Sequence, residues 1–94
     1  MLKPLLVPAN IEAGDVTEIL CIIKRGSPPV TFKWLHNGKE INTHGKYKIS
    51  TTKTSSHLYL GEIAASDIGN FTCVASNQYG TDTKTEAVSM EGKF

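Results

Sequence analysis

No stretch of this chain keeps one pattern long enough to make a long amphipathic helix, and that absence constrains the fold most. Apolar and β-branched residues come in short runs, each ended by turn chemistry. Thr17-Glu18-Ile19-Leu20-Cys21-Ile22-Ile23 is such a run. It stops at Lys24-Arg25-Gly26-Ser27-Pro28-Pro29, where consecutive prolines forbid a central strand. Val30-Thr31-Phe32-Lys33-Trp34-Leu35 is the next, closed by Asn37-Gly38, a dipeptide suited to a tight hairpin. Lys39-Glu40-Ile41 reads as a short return strand. Tyr47-Lys48-Ile49-Ser50 alternates, as does His57-Leu58-Tyr59-Leu60-Gly61-Glu62-Ile63, with a polar turn over Thr51 to Ser56. Ala65 to Gly69 turns a corner, Asn70 to Ser76 is a strand, Asn77 to Gly80 is a turn, and Thr81 to Met90 is a Thr-rich last strand. Strands this short, separated by turn signals, imply an all-β antiparallel sandwich or barrel.

Composition narrows the function classes. A chain of 94 residues makes one domain, and 39% hydrophobic content is that of a globular one. Ten basic and nine acidic residues leave a net charge of +1 with no like-charge block, so nucleic acid is not an expected partner. No apolar run approaches the ~18 residues of a membrane span, so the domain itself is not expected to contact a membrane. Leu5-Leu6-Val7 is far too short, and the flanking Pro4 and Pro8 fit an interrupted edge strand. No secretory leader is visible after Met1. Residues 1–94 are expected to form a single domain, with residues 1–3 and 91–94 as ends outside it or the start of a linker. His36, His44 and His57 lack ligand spacing and read as surface or sheet-face residues, so neither metal nor cofactor is expected. No Gly-x-Ser-x-Gly, no Ser/His/Asp set and no glycine-rich phosphate loop is present, and no enzymatic activity is expected. Cys21 and Cys73 permit one disulfide, but two isolated cysteines alone decide little.

Their surroundings decide more. Trp34 follows Cys21 on the next strand, Leu58-x-Leu60 precedes the corner, Asp67-x-Gly69-x-Phe71-x-Cys73 leads into the second cysteine, and Ala75-x-Asn77-x-x-Gly80 follows it. With these motifs nearly the whole chain resembles the immunoglobulin superfamily, specifically its I-set. The resemblance implies a two-sheet sandwich of seven or eight strands, a Cys21–Cys73 bridge between the sheets, and a core built on Trp34, Leu58, Leu60 and Phe71. One departure stands out: Phe71 occupies the position where the family usually has tyrosine, whose hydroxyl bonds backbone near the corner. A somewhat weaker corner is expected. Within the I-set, Gly26-x-Pro28-Pro29-x-x-x-x-Trp34, His57-Leu58-Tyr59-Leu60 and Asn70-Phe71-Thr72-Cys73-Val74-Ala75-Ser76-Asn77 are similar to Dscam-type cell-adhesion molecules, which are chains of such domains that bind copies of themselves.

Side chains alternate along a strand, so the faces can be read. With Cys21 inward, Ile19 and Ile23 are inward too, while Glu18, Leu20, Ile22 and Lys24 face out. Leu58, Leu60, Tyr47 and Ile49 go inward; Tyr59, Lys48 and Ser50 go outward. In the immunoglobulin order A, B, E, D these strands share the ABED sheet, whose outer face then carries Leu20, Ile22 and Tyr59 with Lys24, Lys48 and Glu18. An apolar centre with a charged rim is how protein interfaces are built, and tyrosine is a preferred anchor. The opposite sheet offers Lys33, Leu35, Thr72 and Val74. Asn70-Phe71-Thr72 is also an N-glycosylation sequon. The expected role is extracellular, cell-surface protein recognition. The domain would belong to a larger single-pass membrane glycoprotein, beside neighbouring immunoglobulin domains, and would bind a second copy antiparallel through the ABED face. The alternatives are a structural module of a muscle or cytoskeletal array, where the cysteines would stay reduced, and a ligand-binding receptor domain. The absence of a Lys/Arg cluster for an acidic ligand such as heparin counts against the last.

Overall fold

A computed structural model describes residues 2–8, 11–25, 29–42 and 45–89. Seven strands run in order: β1 (Val16–Ile22), β2 (Thr31–His36), β3 (Lys39–Glu40), β4 (Lys48–Thr51), β5 (Ser55–Glu62), β6 (Gly69–Asn77) and β7 (Gly80–Val88). A 3-10 turn at Ala65–Asp67 forms the corner between β5 and β6. The strands form two antiparallel sheets, one ordered β1-β5-β4 and the other β3-β2-β6-β7. Asn37 and Gly38, both at positive φ (50° and 84°), make the hairpin between β2 and β3. Gly26, Ser27, Pro28 and His44, which entered the sequence reading, lie outside the described residues, as do residues 91–94.

The apolar alternation on facing strands produces the core. Ile19, Cys21, Leu58 and Leu60 from one sheet meet Trp34, Phe71, Cys73 and Ala75 from the other, all of them buried. Each large side chain removed from water here contributes about 1.5–3 kcal/mol. Cys21 and Cys73 are bridged with their Cα atoms 6.4 Å apart. Beside the bridge, the Trp34 indole N–H donates to Ser56 Oγ at 2.9 Å, and Ser56 Oγ lies 3.0 Å from Thr51 Oγ1, so the one polar atom of the indole is satisfied inside the core.

One expectation is corrected. Residues 1–3 do not all lie outside the domain. Leu2 is buried, bridges Ile23, and its N–H donates to Asp82 Oδ2 on β7 at 2.9 Å. Four residues on, Leu6 exchanges both backbone bonds with Leu20. Pro4 separates these two contacts, which is why the segment lies along the edge of β1 as isolated bridges rather than as a continuous strand. His36 takes the second of its two expected placements, a sheet face, and there the inner one. It sits on the same side of β2 as Trp34, stacks on Phe71 with ring centroids 4.2 Å apart, and meets Tyr47 edge-on at 6.0 Å.

The corner is also tied more firmly than Phe71 alone suggests. Buried Asp67 accepts the Tyr47 hydroxyl at 2.6 Å and the Ala64 N–H at 2.9 Å, and it pairs with Lys46. The hydroxyl missing from position 71 is thus supplied to the corner by Tyr47, from just before β4. Burial alone would raise the pKa of Asp67, but the hydrogen bonds from Lys46, Tyr47 and Ala64 outweigh it and hold the carboxyl below its ordinary value. Burial and the adjacent Asp67 push the Tyr47 phenol well above its ordinary value, so it remains a donor at any pH the domain meets.

Candidate functional site

The outer face of the β1-β5-β4 sheet is laid out by strand register. Glu18 pairs with Tyr59 and Lys48 pairs with Tyr59, so these three form one cross-strand row. The next row is Leu20, His57 and Ser50, and the bridge to Leu20 places Leu6 beside it. Ile22 and Ser55 make a third. The register slips between Thr17 and Glu18, opposite Leu60 and Gly61. Gly61 takes the positive φ (71°) this slip requires, and alternation resumes beyond it, with Val16 opposite Glu62.

Tyr59 is the most prominent ring on this face, 39% exposed and stacked on His57 with centroids 5.9 Å apart. Leu20 and Ile22 face outward yet are only half-buried rather than open, since the segment carrying Leu6 lies against the β1 edge. Leu6 itself is 57% exposed, so the segment adds an apolar residue to the face that alternation on β1, β4 and β5 does not disclose. A shallow hollow of about 370 Å³ lies between Leu6, Val7, Pro8, Glu18 and Leu20. The charges are graded along the strands. Glu18, Glu62 and Lys48 stand at one end, while Lys24 and Arg25, just beyond β1, and Lys53, in the turn before β5, stand at the other.

The β3-β2-β6-β7 sheet presents a different surface. Leu35 and Val74 are half-buried, and Lys33 and Glu40 form an exposed ion pair at 3.9 Å. The rest is largely hydroxyls already bonded to one another: Thr72 to Thr85 at 2.8 Å and Ser76 to Thr81 at 2.9 Å. Asn70 stands exposed at one end of this face. Among the described residues no three His, Cys, Asp or Glu side chains gather as metal ligands.

Two facing antiparallel sheets, a disulfide between them and a tryptophan packed beside it define an immunoglobulin-type sandwich. Residues 1–90 match the immunoglobulin I-set domain family, and the chain belongs to it. It is 32% identical over 92 residues to junctional adhesion molecule A of Felis catus, across 90% of this chain and 31% of that protein. It is 30% identical over 83 residues to myopalladin of Mus musculus, across 88% of this chain and 6% of that one. The chain therefore spans about a third or less of the curated relatives it matches. Among solved structures, the Dscam1 Ig7 domain (isoform 5) superposes with a TM-score of 0.87 at 22% identity, over 97% of this chain and 95% of that chain. The titin I-band fragment I67–I69 superposes at 0.80 and 22% identity, over 94% of this chain and 32% of the other. Adhesion molecules and muscle proteins both use this module.

Proposed function

We propose that this domain is a cell-surface recognition module that binds a second copy of itself through the outer face of β1, β5 and β4, as part of a larger membrane-anchored protein. The observation that carries the reading is the apolar strip of Leu6, Leu20, Ile22 and Tyr59, with acidic groups confined to one end and a wholly basic opposite end. A two-fold axis across the strands brings the Lys24, Arg25 and Lys53 end of one copy over the Glu18 and Glu62 end of the other, on both sides at once. Lys48 shares the end that holds Glu18 and Glu62, so what favours antiparallel pairing is chiefly that it avoids setting basic end on basic end, as the same face laid parallel would do. The similarity to junctional adhesion molecule A and to the Dscam1 domain supports an extracellular adhesion role.

The test is sedimentation equilibrium of the oxidised domain beside Tyr59→Asp, a substitution at an exposed position whose folded state is checked by circular dichroism. Wild-type dimers that weaken at least tenfold in the variant support the reading. A monomer at every concentration reached, or dimers indifferent to the variant, would overturn it. A second reading, a spacer in a muscle array, is favoured by the similarity to myopalladin and titin. It requires reduced thiols at Cys21 and Cys73 in the native compartment, which thiol labelling of the native protein decides.

A further inference from the structure

The two outer faces are not equivalent, and the difference centres on Asn70. It lies on β6, opposite Ala87 of β7, and shares the outward side of its strand with Thr72 and Val74. Its backbone is fully engaged: the Asn70 N–H donates to Asn37 Oδ1 at 2.9 Å and its carbonyl accepts the Asn37 N–H at 2.8 Å. Its exposed side chain takes no part in those bonds. The residue is anchored through its main chain while its side chain is exposed. Phe71, the middle residue of the tripeptide, is fully buried, and Thr72 completes the acceptor motif on the same outer side as Asn70.

We infer that Asn70 carries an N-linked glycan when the chain passes through the secretory route, and that this glycan reserves the β3-β2-β6-β7 sheet against docking. A branched, strongly hydrated sugar rooted at Asn70 rises from the sheet surface itself, not from a peripheral loop. It stands next to Thr72, which pairs with Leu35, so a protein laid flat on Leu35 and Val74 would have to displace it. The three-stranded sheet faces the opposite direction and stays bare. One covalent mark thereby leaves a single face open for pairing, which explains why half-buried Leu35 and Val74 need no partner. The inference rests on the extracellular half of the reading above, and its test separates the two.

The domain is to be secreted from a eukaryotic cell line as wild type, Asn70→Gln, Thr72→Ala and Thr72→Ser, and each is weighed by mass spectrometry before and after peptide-N-glycosidase. The wild type and Thr72→Ser should lose sugar mass and be left with aspartate at position 70; Asn70→Gln and Thr72→Ala should not change. Serine rescues the motif, whereas a merely structural role for Thr72 would not produce this split. A secreted wild type that differs in mass from Asn70→Gln only by the one methylene of the substitution would overturn the site. Self-association is then compared between the glycosylated wild type and Asn70→Gln. Tighter association of Asn70→Gln supports a glycan that holds partners off this sheet, whereas equal affinities would overturn that shielding role and weaker association would place the glycan inside the contact. Absence of dimers in both forms would defeat the homophilic reading while leaving the mass result to stand for the site.

Discussion

Replacing Asp67 with alanine should be far more damaging than its position on a surface turn suggests. The carboxylate is 1% exposed and serves three donors: the Tyr47 hydroxyl, the Ala64 N–H and the Lys46 ammonium. Lys46 is 39% exposed and can return to water, so its share is below about 1 kcal/mol. The other two donors are partly buried, and each loses its acceptor at about 1–3 kcal/mol. Asp67→Ala should therefore cost roughly 3–5 kcal/mol. Tyr47→Phe removes one donor and leaves the carboxylate with its other two, at about 1–2 kcal/mol. Guanidinium unfolding followed by the emission of Trp34, the single tryptophan, measures both. The same network has a pH signature. Because the folded pKa of Asp67 lies below its unfolded value, its stabilisation is complete above about pH 4 and is lost as pH falls through the folded value. Wild type should lose stability on acidification below pH ~4, and Asp67→Asn should lose less over the same interval. If Asp67→Ala costs no more than Tyr47→Phe, or if the acid slope survives in Asp67→Asn, the reasoning is wrong.

Three other perturbations test the core and the turns. Ser56→Ala strips the Trp34 indole of its only acceptor and should cost about 1–3 kcal/mol by the same unfolding assay, despite a loss of a single oxygen. Replacing Cys21 and Cys73 together by alanine opens a loop with a sequence separation of 52 and should cost about 4 kcal/mol, visible as a lower guanidinium midpoint than that of the oxidised protein. Gly69→Ala should destabilise by roughly 1–3 kcal/mol, since Gly69 sits at φ 139° and an added Cβ would fall 2.3 Å from Asn37 Oδ1, the atom that caps the Asn70 N–H; amide hydrogen exchange at Asn70 should quicken accordingly.

The inner and outer faces of the strands were legible because alternation is a local rule. Ile19 and Cys21, Leu58 and Leu60, Phe71 and Cys73 all point as their spacing requires. The same rule, extended one step past Trp34, would have turned His36 inward, and the pairing of His36 with Phe71 follows from it. What alternation could not show is contact between distant segments. Tyr47 and Asp67 meet across 20 residues, and neither residue type announces its partner. Pro4 and Pro8 mark an interrupted edge strand around Leu5-Leu6-Val7, but the burial of Leu2 and the placing of Leu6 beside Leu20 depend on a register that two single bridges set. The slip at Gly61 is likewise silent, because glycine within a strand is compatible with regular pairing as well as with a bulge.

The covalent bridge between the sheets also sets how far the domain can be drawn out under tension. Adhesion proteins and filament spacers alike are pulled from their two ends. With Cys21 joined to Cys73, force applied at the ends can straighten only the stretches outside that loop. These amount to about 40 residues, or roughly 140 Å of extended chain, against about 300 Å for the reduced domain. Residues 2–7 would peel first, being held by two isolated bridges, to Ile23 and to Leu20, with Pro4 between them, and by the bond from the Leu2 N–H to Asp82. β7 would follow, and then the core would stop yielding. Oxidised, the domain is a short tether with a hard stop; reduced, it would pay out more than twice the length, so its redox state decides how much slack a loaded chain of such domains can release.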